Sequence, residues 1–397
     1  MKKKIMILGA SILQLPAIVQ AKRMGIEVVA VDINANAIGF KEADKNLVIS
    51  TIDIEQVLKA AKEEKIDGIM TLASDMPMRT VAVVAKEMGL VGIEVDTALR
   101  ATNKALMRQC LLEHNVPIPT FFKVSNKIQY REVVKQFKTK FIVKPADNSG
   151  SRGVFLIECL DDEEMIEQAY HYSKGFSRSG DIVVEEYMEG EEVSVETLSV
   201  EGVCHIIQIT DKLTTGAPHF VEMGHSQPTK HSLSITQKIC EVATKAVNAI
   251  GIKNGPSHTE IMVTKDGPKI VELGARLGGD CITTHLVPLS TGVNMVENCI
   301  LIALGEKPTL TAKFEKGSAI RYMPSHEGVL QKVANIEEAK AVSGVKEISL
   351  VKGIGERLTN IESSIARIGF VVAQGDTANM AINACSKALD KIKIIIE

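Results

Sequence analysis

The sequence predicts a multidomain protein of the α/β and α+β classes: a small doubly wound parallel sheet at the amino end, then α+β units. Three observations carry this expectation. At 397 residues the chain exceeds one average domain and can form two or three packed units, each with its own core. Over the first hundred residues short apolar runs alternate with helical patterns, the rhythm of a parallel sheet. Farther on, strands with period-two alternation are joined by turns, the pattern of antiparallel sheets.

Residues 5–8, 28–31, 47–49 and 69–72 are strand candidates with helices between them. The first turn, Gly9-Ala10-Ser11 and then Leu15-Pro16, lacks a complete GxGxxG fingerprint, although Asp32 ends the second strand where a ribose-binding acid would sit. A scaffold that packs on the next domain and a dinucleotide site are both open readings of that turn. A helix from Asn103 to about Glu113 is stopped by Val116-Pro117-Ile118-Pro119, since proline cannot continue a helix and restricts its predecessor. Residues 141–145 form a strand ending in Lys144-Pro145, followed by the loop Asp147-Asn148-Ser149-Gly150-Ser151-Arg152-Gly153 and a strand at 154–157. Asp161 is the expected N-cap of a helix whose inner face is Met165, Ile166 and Ala169. Strands follow at 181–187, 192–199 and 205–209. Residues 234–250 place Ile235, Ile239, Val242, Ala243, Ala246 and Ile250 on one helical face. Strands 259–263 and 269–273 are joined by Lys265-Asp266-Gly267-Pro268, which is hairpin-turn chemistry. From about Gly317 the tail mixes strands at 346–351 and 368–373 with a terminal helix from Thr377.

Composition narrows the function classes. Hydrophobic residues make up 45% and the net charge is −3, which suggests neither disorder nor the footprint of a nucleic-acid binder. The seven cysteines (Cys110, Cys159, Cys204, Cys240, Cys281, Cys299 and Cys385) show no CxxC pair and no metal-like spacing, as expected of reduced thiols in a cytosolic protein. Lys2 to Lys4 and the apolar run after them imitate a secretory signal. Gly9, Gln14 and Pro16 interrupt that run, and a second strand-like segment at 27–31 follows at the spacing of a βαβ unit. No stretch approaches the roughly 18 uninterrupted apolar residues that a membrane span needs. A cytoplasmic protein with neither a membrane nor a nucleic-acid partner is expected.

The chemistry begins at the hairpin. A short turn between its strands could bring Glu260 and Glu272 to the same end and face of a sheet. Two adjacent carboxylates repel unless a cation or proton separates them, and magnesium with nucleotide phosphates is their usual partner; two solvent-facing strand glutamates are the plain alternative. Four residues on, Arg276 opens Arg276-Leu277-Gly278-Gly279-Asp280, where a guanidinium can hold a carboxylate or developing phosphate and glycines let a ligand approach the backbone. Lys144 and the Ser/Gly-rich loop after it supply a positive charge and exposed amides, the ingredients of a phosphate cradle. The loop is not a Walker A sequence and could be a simple strand connection. Lys104, opening its helix, could reach a phosphate from the other side or be solvated.

In order and spacing these motifs resemble the ATP-grasp superfamily, in the branch that includes biotin carboxylase, carbamoyl phosphate synthetase and bacterial L-amino-acid ligases. The resemblance rests on Asn103-Lys104, Lys144, the loop from Ser149 to Val154, the hinge Val183-Val184-Glu185-Glu186-Tyr187-Met188, the strand Glu192-Val193-Ser194-Val195-Glu196, and Glu260, Glu272 and Arg276. It implies a Rossmann-like pre-ATP-grasp domain at 1–102, a small ATP-grasp subdomain with a lid loop at 103–190, a large subdomain with the metal site at 191–316 and an α+β cap at 317–397. Lys104 and Lys144 would contact ATP phosphates. Ser149, Gly150, Ser151 and Gly153 would close over them. Glu186, Tyr187 and Met188 would read adenine, Glu192 would bind ribose, and Glu260 and Glu272 would hold magnesium, with manganese as a substitute. Glu222-Met223-Gly224-His225 lies where the amino-acid ligases have an acceptor-side glutamate and histidine, so Glu222 would hold a substrate ammonium and His225 an acyl phosphate or a proton. One departure stands out. The family's commonest wording is Glu-x-Asn-x-Arg, whereas this chain has Glu272-Leu273-Gly274-Ala275-Arg276, and glycine offers no side-chain oxygen to a second metal.

The implied function is an ATP- and magnesium-dependent ligase that activates a carboxylate as an acyl phosphate and passes it to an amine, with small-molecule partners and a homodimer as the family's common assembly. An ATP-grasp ligase of purine or other small-metabolite biosynthesis is the nearest alternative. A nicotinamide-dependent dehydrogenase and a non-catalytic nucleotide sensor are farther ones.

Overall fold

The computed structural model describes residues 2–148, 150, 152–217 and 219–397. Its first sheet consists of β1 (Lys4–Leu8), β2 (Glu27–Asp32), β3 (Lys45–Val48) and β4 (Gly68–Thr71), all parallel in the order β3-β2-β1-β4. The helices α1 (Leu15–Arg23), α2 (Ile54–Glu64), α3 (Pro77–Met88) and α4 (Val95–Ala101) accompany it. β1 and β2 are buried on both faces, as strands of a covered parallel sheet should be. Over the first turn the Gln14 side chain occupies the space a Cβ on Gly9 would need. Its amide is tied to Leu72 O at 2.6 Å and Ser74 Oγ at 3.1 Å. The turn is plugged, which weakens the dinucleotide reading.

Asn103 caps α5 (Lys104–Glu113) by accepting from the Leu106 amide, and the prolines after it end the helix. Next come β5 (Phe121–Val124), α6 (Lys127–Val134), β6 (Phe141–Pro145), β7 (Phe155–Ile157), α7 (Glu163–Phe176) and β8 (Ile182–Glu186). The four strands make an antiparallel sheet ordered β5-β8-β6-β7. The N-cap of α7 is Asp162, which accepts from the Met165 amide, one residue later than the sequence reading placed it. Asp162 stands the required three residues before that amide.

The largest sheet has eight strands, β13-β12-β9-β10-β11-β14-β18-β16. They are β9 (Glu191–Val200), β10 (Val203–Thr214), β11 (Glu222–Gln227), β12 (Gly255–Thr264), β13 (Gly267–Gly274), β14 (Gly317–Tyr322), β16 (Val345–Leu350) and β18 (Gly369–Gly375). α8 (Leu233–Ile250) precedes the hairpin. A π-helical turn at Ile282–Leu286, α9 (Val287–Thr291) and α10 (Met295–Ala303) follow it. In the tail, β15 (Gly328–Ala334) pairs with both β17 (Arg357–Leu358) and β19 (Lys393–Ile396) in a separate small sheet, with α11 (Ile336–Lys340) and α12 (Ala378–Lys391) beside it. Three strands of the tail therefore extend the central sheet.

Strand alternation divides that sheet chemically. Val193, Val195, Ile209, Ile261, Ile270 and Leu273 point one way, into a core that runs through Ile239, Val242, Ala243 and Ala246 of α8 to the first sheet. The intervening residues put Glu192, Glu260, Glu272, Lys212 and His225 on the other face, because cross-strand partners share a side. The same packing ties the units together: Met295, Val296, Cys299 and Ile300 of α10 are buried with Ile5, Ile7 and Ile18 of the first unit. No single helix among the described residues is long and apolar enough to cross a membrane, and all seven cysteines are unpaired.

The join between sheet and tail is tight at Gly317, where a Cβ would lie 2.0 Å from the Thr377 carbonyl, the N-cap of α12. Gly317→Ala is expected to destabilise the protein by about 1–3 kcal/mol, the scale of overpacking, and a denaturant midpoint equal to that of the parent would contradict the contact.

Candidate active site

Lys212 is the centre of the polar face. With only 4% of its side chain exposed, its ammonium lies 2.5 Å from Glu192, 2.9 Å from Glu260 and 3.7 Å from Glu222. Burial alone would lower its pKa, but Glu192, Glu260 and Glu222 hold it well above the ordinary value. Glu222 joins this face because the pairing of β10 with β11 shifts at Leu213/Thr214 and sets Thr214 opposite Glu222, as a β-bulge re-aims a side chain.

Glu260 and Glu272 are direct cross-strand partners, as the hairpin spacing predicts. Each has a cation beside it. Glu260 has Lys212, and Glu272 accepts from Lys104 at 2.7 Å. Behind Glu260 the His258 ring lies 2.7 Å from fully buried Glu196 and 3.5 Å from Glu260. Burial alone would lower the His258 pKa, but Glu196 pushes it up to about 9, so an imidazolium backs this end of the hairpin. Arg276 donates its Nε to Asp75 of the first unit at 2.9 Å. A Cβ on Gly274 would lie 2.8 Å from the Asp75 carboxylate, so the room left by the missing Asn is taken by the Asp75–Arg276 pair.

One turn of α5 separates Lys104 from Arg108, and both face inward. Lys104 also donates to the Asn148 carbonyl at 2.6 Å, reaching the start of the Ser/Gly loop. Arg108 holds Glu185 through Nε at 2.7 Å and Nη2 at 3.0 Å, and Nη2 reaches the Val271 carbonyl at 2.8 Å. Lys144 closes on the same Glu185 at 2.6 Å. Burial pushes the Lys144 ammonium below its ordinary value while Glu185 opposes this. Two cations therefore share one carboxylate in a buried site, a local excess of positive charge suited to a polyanion. Gly150 and Gly153 adopt positive φ, whereas Ser149 and Ser151 lie outside the described residues. Asp147 anchors the opposite loop by accepting from the amides of Arg178 and Ser179. A cavity of about 30 Å³ lies among Asp75, Lys104, Asp147, Arg178 and Glu272.

In the hinge, the Glu186 amide donates to Thr120 O and the Tyr187 amide to Lys140 O, whereas the Met188 amide has no such backbone bond among the described residues. On the acceptor side, His225 is 1% exposed. Its Nε2 faces Asp280 at 3.4 Å, and its Nδ1 is buried without a partner among the described residues.

The ATP-grasp domain profile matches residues 137–284, and the profile described as L-amino acid ligase C-terminal domain 2 matches 321–397. The chain carries an ATP-grasp domain. Among its relatives, an L-arginine-specific L-amino acid ligase of Bacillus subtilis is 26% identical over 297 residues, spanning 71% of this chain and 70% of that protein. A formate-dependent phosphoribosylglycinamide formyltransferase of Sulfurisphaera tokodaii is 25% identical over 402 residues, spanning 99% and 97%. The solved L-amino acid ligase from Bacillus licheniformis shares the fold, with a TM-score of 0.85, 22% identity and coverage of 100% and 99%.

Within this ATP-grasp frame the sequence reading named the hairpin pair, the helix-start Lys104 and the strand-end Lys144. It gave no role to Lys212, Arg108 or Asp75, and quoted Glu185 only as part of the hinge. Glu185 shares its strand face with Val183, which packs on Ala105 of α5, but Ile182 and Val184 on the opposite face are buried as well, so strand alternation does not single out Glu185. The others have no local signal, because their partners are far away in sequence.

Two outcomes follow for the buried triad. Removing the guanidinium with Arg108→Ala leaves Glu185 underpaired and should cost about 3–5 kcal/mol by denaturant titration; a loss below about 1 kcal/mol would show that Lys144 alone satisfies the carboxylate. Burial would raise the Glu185 pKa, but Arg108 and Lys144 lower it from 4.5 to about 2. Its stabilising contribution is thus complete above its unfolded pKa and lost as pH falls through about 2. Glu185→Gln should flatten the stability profile over that interval, and an unaltered acid limb would contradict the coupling.

Proposed function

We propose that the protein is an ATP- and magnesium-dependent ligase that joins the carboxylate of an amino acid or amino-acid-like compound to an amine. The observation that carries this reading is the directly paired Glu260 and Glu272 between the cations Lys104 and Lys212. Three carboxylates around one buried lysine leave an excess of negative charge that a hard divalent cation fits, and magnesium commonly takes one or two protein carboxylates and fills its remaining positions with phosphate and water. Glu260 and Glu272 would hold that ion, and manganese would suit the same oxygen ligands. Bound MgATP supplies the phosphoryl group that activates the carboxylate and makes its hydroxyl oxygen a good leaving group.

The chain's own residues would do the positioning. Lys104 and Lys144 would present cations to the phosphates from α5 and β6, Gly150 and Gly153 would approach them with their backbone, and Arg276 would offer its remaining N–H groups beside Glu272. His225, whose buried Nδ1 has no partner among the described residues, would take the proton that the amine loses; the amine nitrogen then forms the C–N bond as the C–O bond to phosphate breaks, and phosphate leaves with the electron pair. Glu222 on β11 lies close enough to Lys212 to share this face and would receive the ammonium.

The alternative, a ligase acting on a phosphorylated purine-type metabolite, draws on the full-length similarity to the formyltransferase. The plugged Gly9 turn, with no lysine or arginine from residue 5 to residue 21, offers no phosphate site there and favours the amino-acid reading. ADP release should require an amino acid or a pair of them and yield an amide product by mass spectrometry; turnover with a phosphorylated metabolite alone would replace this substrate class. Glu272→Gln should reduce ADP release at least a hundredfold while leaving the thermal midpoint within a few degrees, and unchanged turnover at saturating magnesium would remove the hairpin from the mechanism.

A further inference from the structure

The polar face ends in a cluster that the ligase chemistry above leaves unused. Arg367, ahead of β18, reaches back to the Gly278-Gly279-Asp280 loop. Its Nη1 and Nη2 donate to Asp280 Oδ2 and Oδ1 at 2.7 and 2.8 Å. Nη1 also donates to the Glu222 carbonyl at 3.1 Å and Nε to the Ser364 carbonyl at 2.9 Å. The guanidinium lies 3.7 Å from the centre of the Tyr322 ring. A planar fork can serve a carboxylate, two carbonyls and a ring face together, which a lysine ammonium cannot.

Backbone geometry shows how firmly Asp280 is held. Asp280 and Cys281 have φ of +50° and +61°, two successive non-glycine residues in the left-handed region just before the π-helical turn. Such residues cost about 1–3 kcal/mol each and persist where the surroundings impose them, and here the Arg367 fork grips the first of the two. Arg367 takes two of the roughly four acceptor positions of the carboxylate and His225 a third, so one is left. The Asp280 and Glu222 side chains are each 27% exposed, whereas that of Arg367 is 10% exposed. A molecule entering the cleft meets the two carboxylates before the arginine.

We propose that Asp280, locked by Arg367, is the anchor that orients the incoming amine, and that it selects acceptors arriving as cations, the ammonium of an amino acid above all. The proposal rests on the ligase reading and adds the charge class of the acceptor. Burial would raise the Asp280 pKa, but Arg367 and then His225 hold it well below the usual carboxylate range. Asp280 thus stays charged and attracts the ammonium without taking its proton. Arg367 is a positioning residue, acting through Asp280.

The test is a competition between acceptors. The full-length protein is given ATP, magnesium, the pool of twenty proteinogenic L-amino acids, and hydroxylamine, which is uncharged at neutral pH and traps activated carboxylates as hydroxamates. Amide and hydroxamate are both quantified by mass spectrometry. Asp280→Asn, which tolerates the left-handed backbone, should shift the partition at least tenfold toward hydroxamate, Arg367→Ala should do the same, and Arg367→Lys should fall between Arg367→Ala and the parent. Amide and hydroxamate falling in parallel would reduce both residues to a structural role and overturn the proposal, as would a partition within twofold of the parent. A parent that makes amide but loses no selectivity in the variants refutes the anchor alone, whereas a parent that forms neither product refutes the ligase reading beneath it.

Discussion

The buried ammonium of Lys212 is the interaction on which the site depends. Glu192, Glu222 and Glu260 come from three strands and converge on it. Without a fixed counter-ion, three carboxylates at that spacing would take up protons or move apart. The lysine can occupy that point only if β9, β10, β11 and β12 keep their register, since a slip of one residue would turn Lys212 toward the apolar core under α8. The pairings of Met262 with Glu192 and of Lys212 with His225 are thus electrostatic requirements as much as features of the sheet. The apolar face fixes the register, and the register fixes the charges.

Around this centre the cleft is divided by sign. On the α5 and β6 side, Lys104, Arg108 and Lys144 face Glu185 and Glu272, so cations are in excess. On the hairpin side carboxylates are in excess around Lys212. A polyphosphate chelated to a divalent cation has this distribution turned round, with phosphate charge for the first side and metal charge for the second. The single turn of α5 between Lys104 and Arg108 joins the halves: Arg108 bonds both Glu185 and the Val271 carbonyl, next to Glu272 in the hairpin.

How much of this the sequence disclosed follows from how far apart the partners lie. Glu260 and Glu272 could be paired from sequence because a short turn leaves little choice of register, and Lys144 was visible because it ends an apolar strand ahead of a glycine loop. Asp75 and Arg276 are 201 residues apart, and Arg367 and Asp280 are 87 apart, distances over which no periodicity carries information. The run Glu222-Met223-Gly224-His225 gave no strand signal, since it lacks the apolar alternation that burial on one face produces. It is nonetheless a central strand, flanked by β10 and β14, so polar side chains line both of its faces. Lys212 was hidden for the same reason: the sequence reading ended its strand at Ile209, where polar residues begin, whereas β10 runs to Thr214.

The tail then has a role that its position at the end of the chain does not suggest. Because β14 pairs with β11, the tail lies against the strand that carries Glu222 and His225, and Arg367, His285–Glu347 and the bond from Gln374 to the Leu289 carbonyl fasten it to the loop, the π-helical turn and α9 after the hairpin. The groups that would handle phosphate belong to α5, β6 and the hairpin, which sit elsewhere in the fold. Under the proposed function, activation and acceptance would depend on different parts of the molecule, joined through Lys212 and its neighbour across the strand, His225. On that reading a change of acceptor would require alteration only where β11, the Gly278-Gly279-Asp280 loop and Arg367 meet, and the phosphate side could stay as it is. That separation is a physical reason why one ATP-binding frame can serve relatives whose substrates differ as widely as those of the amino acid ligase and the formyltransferase.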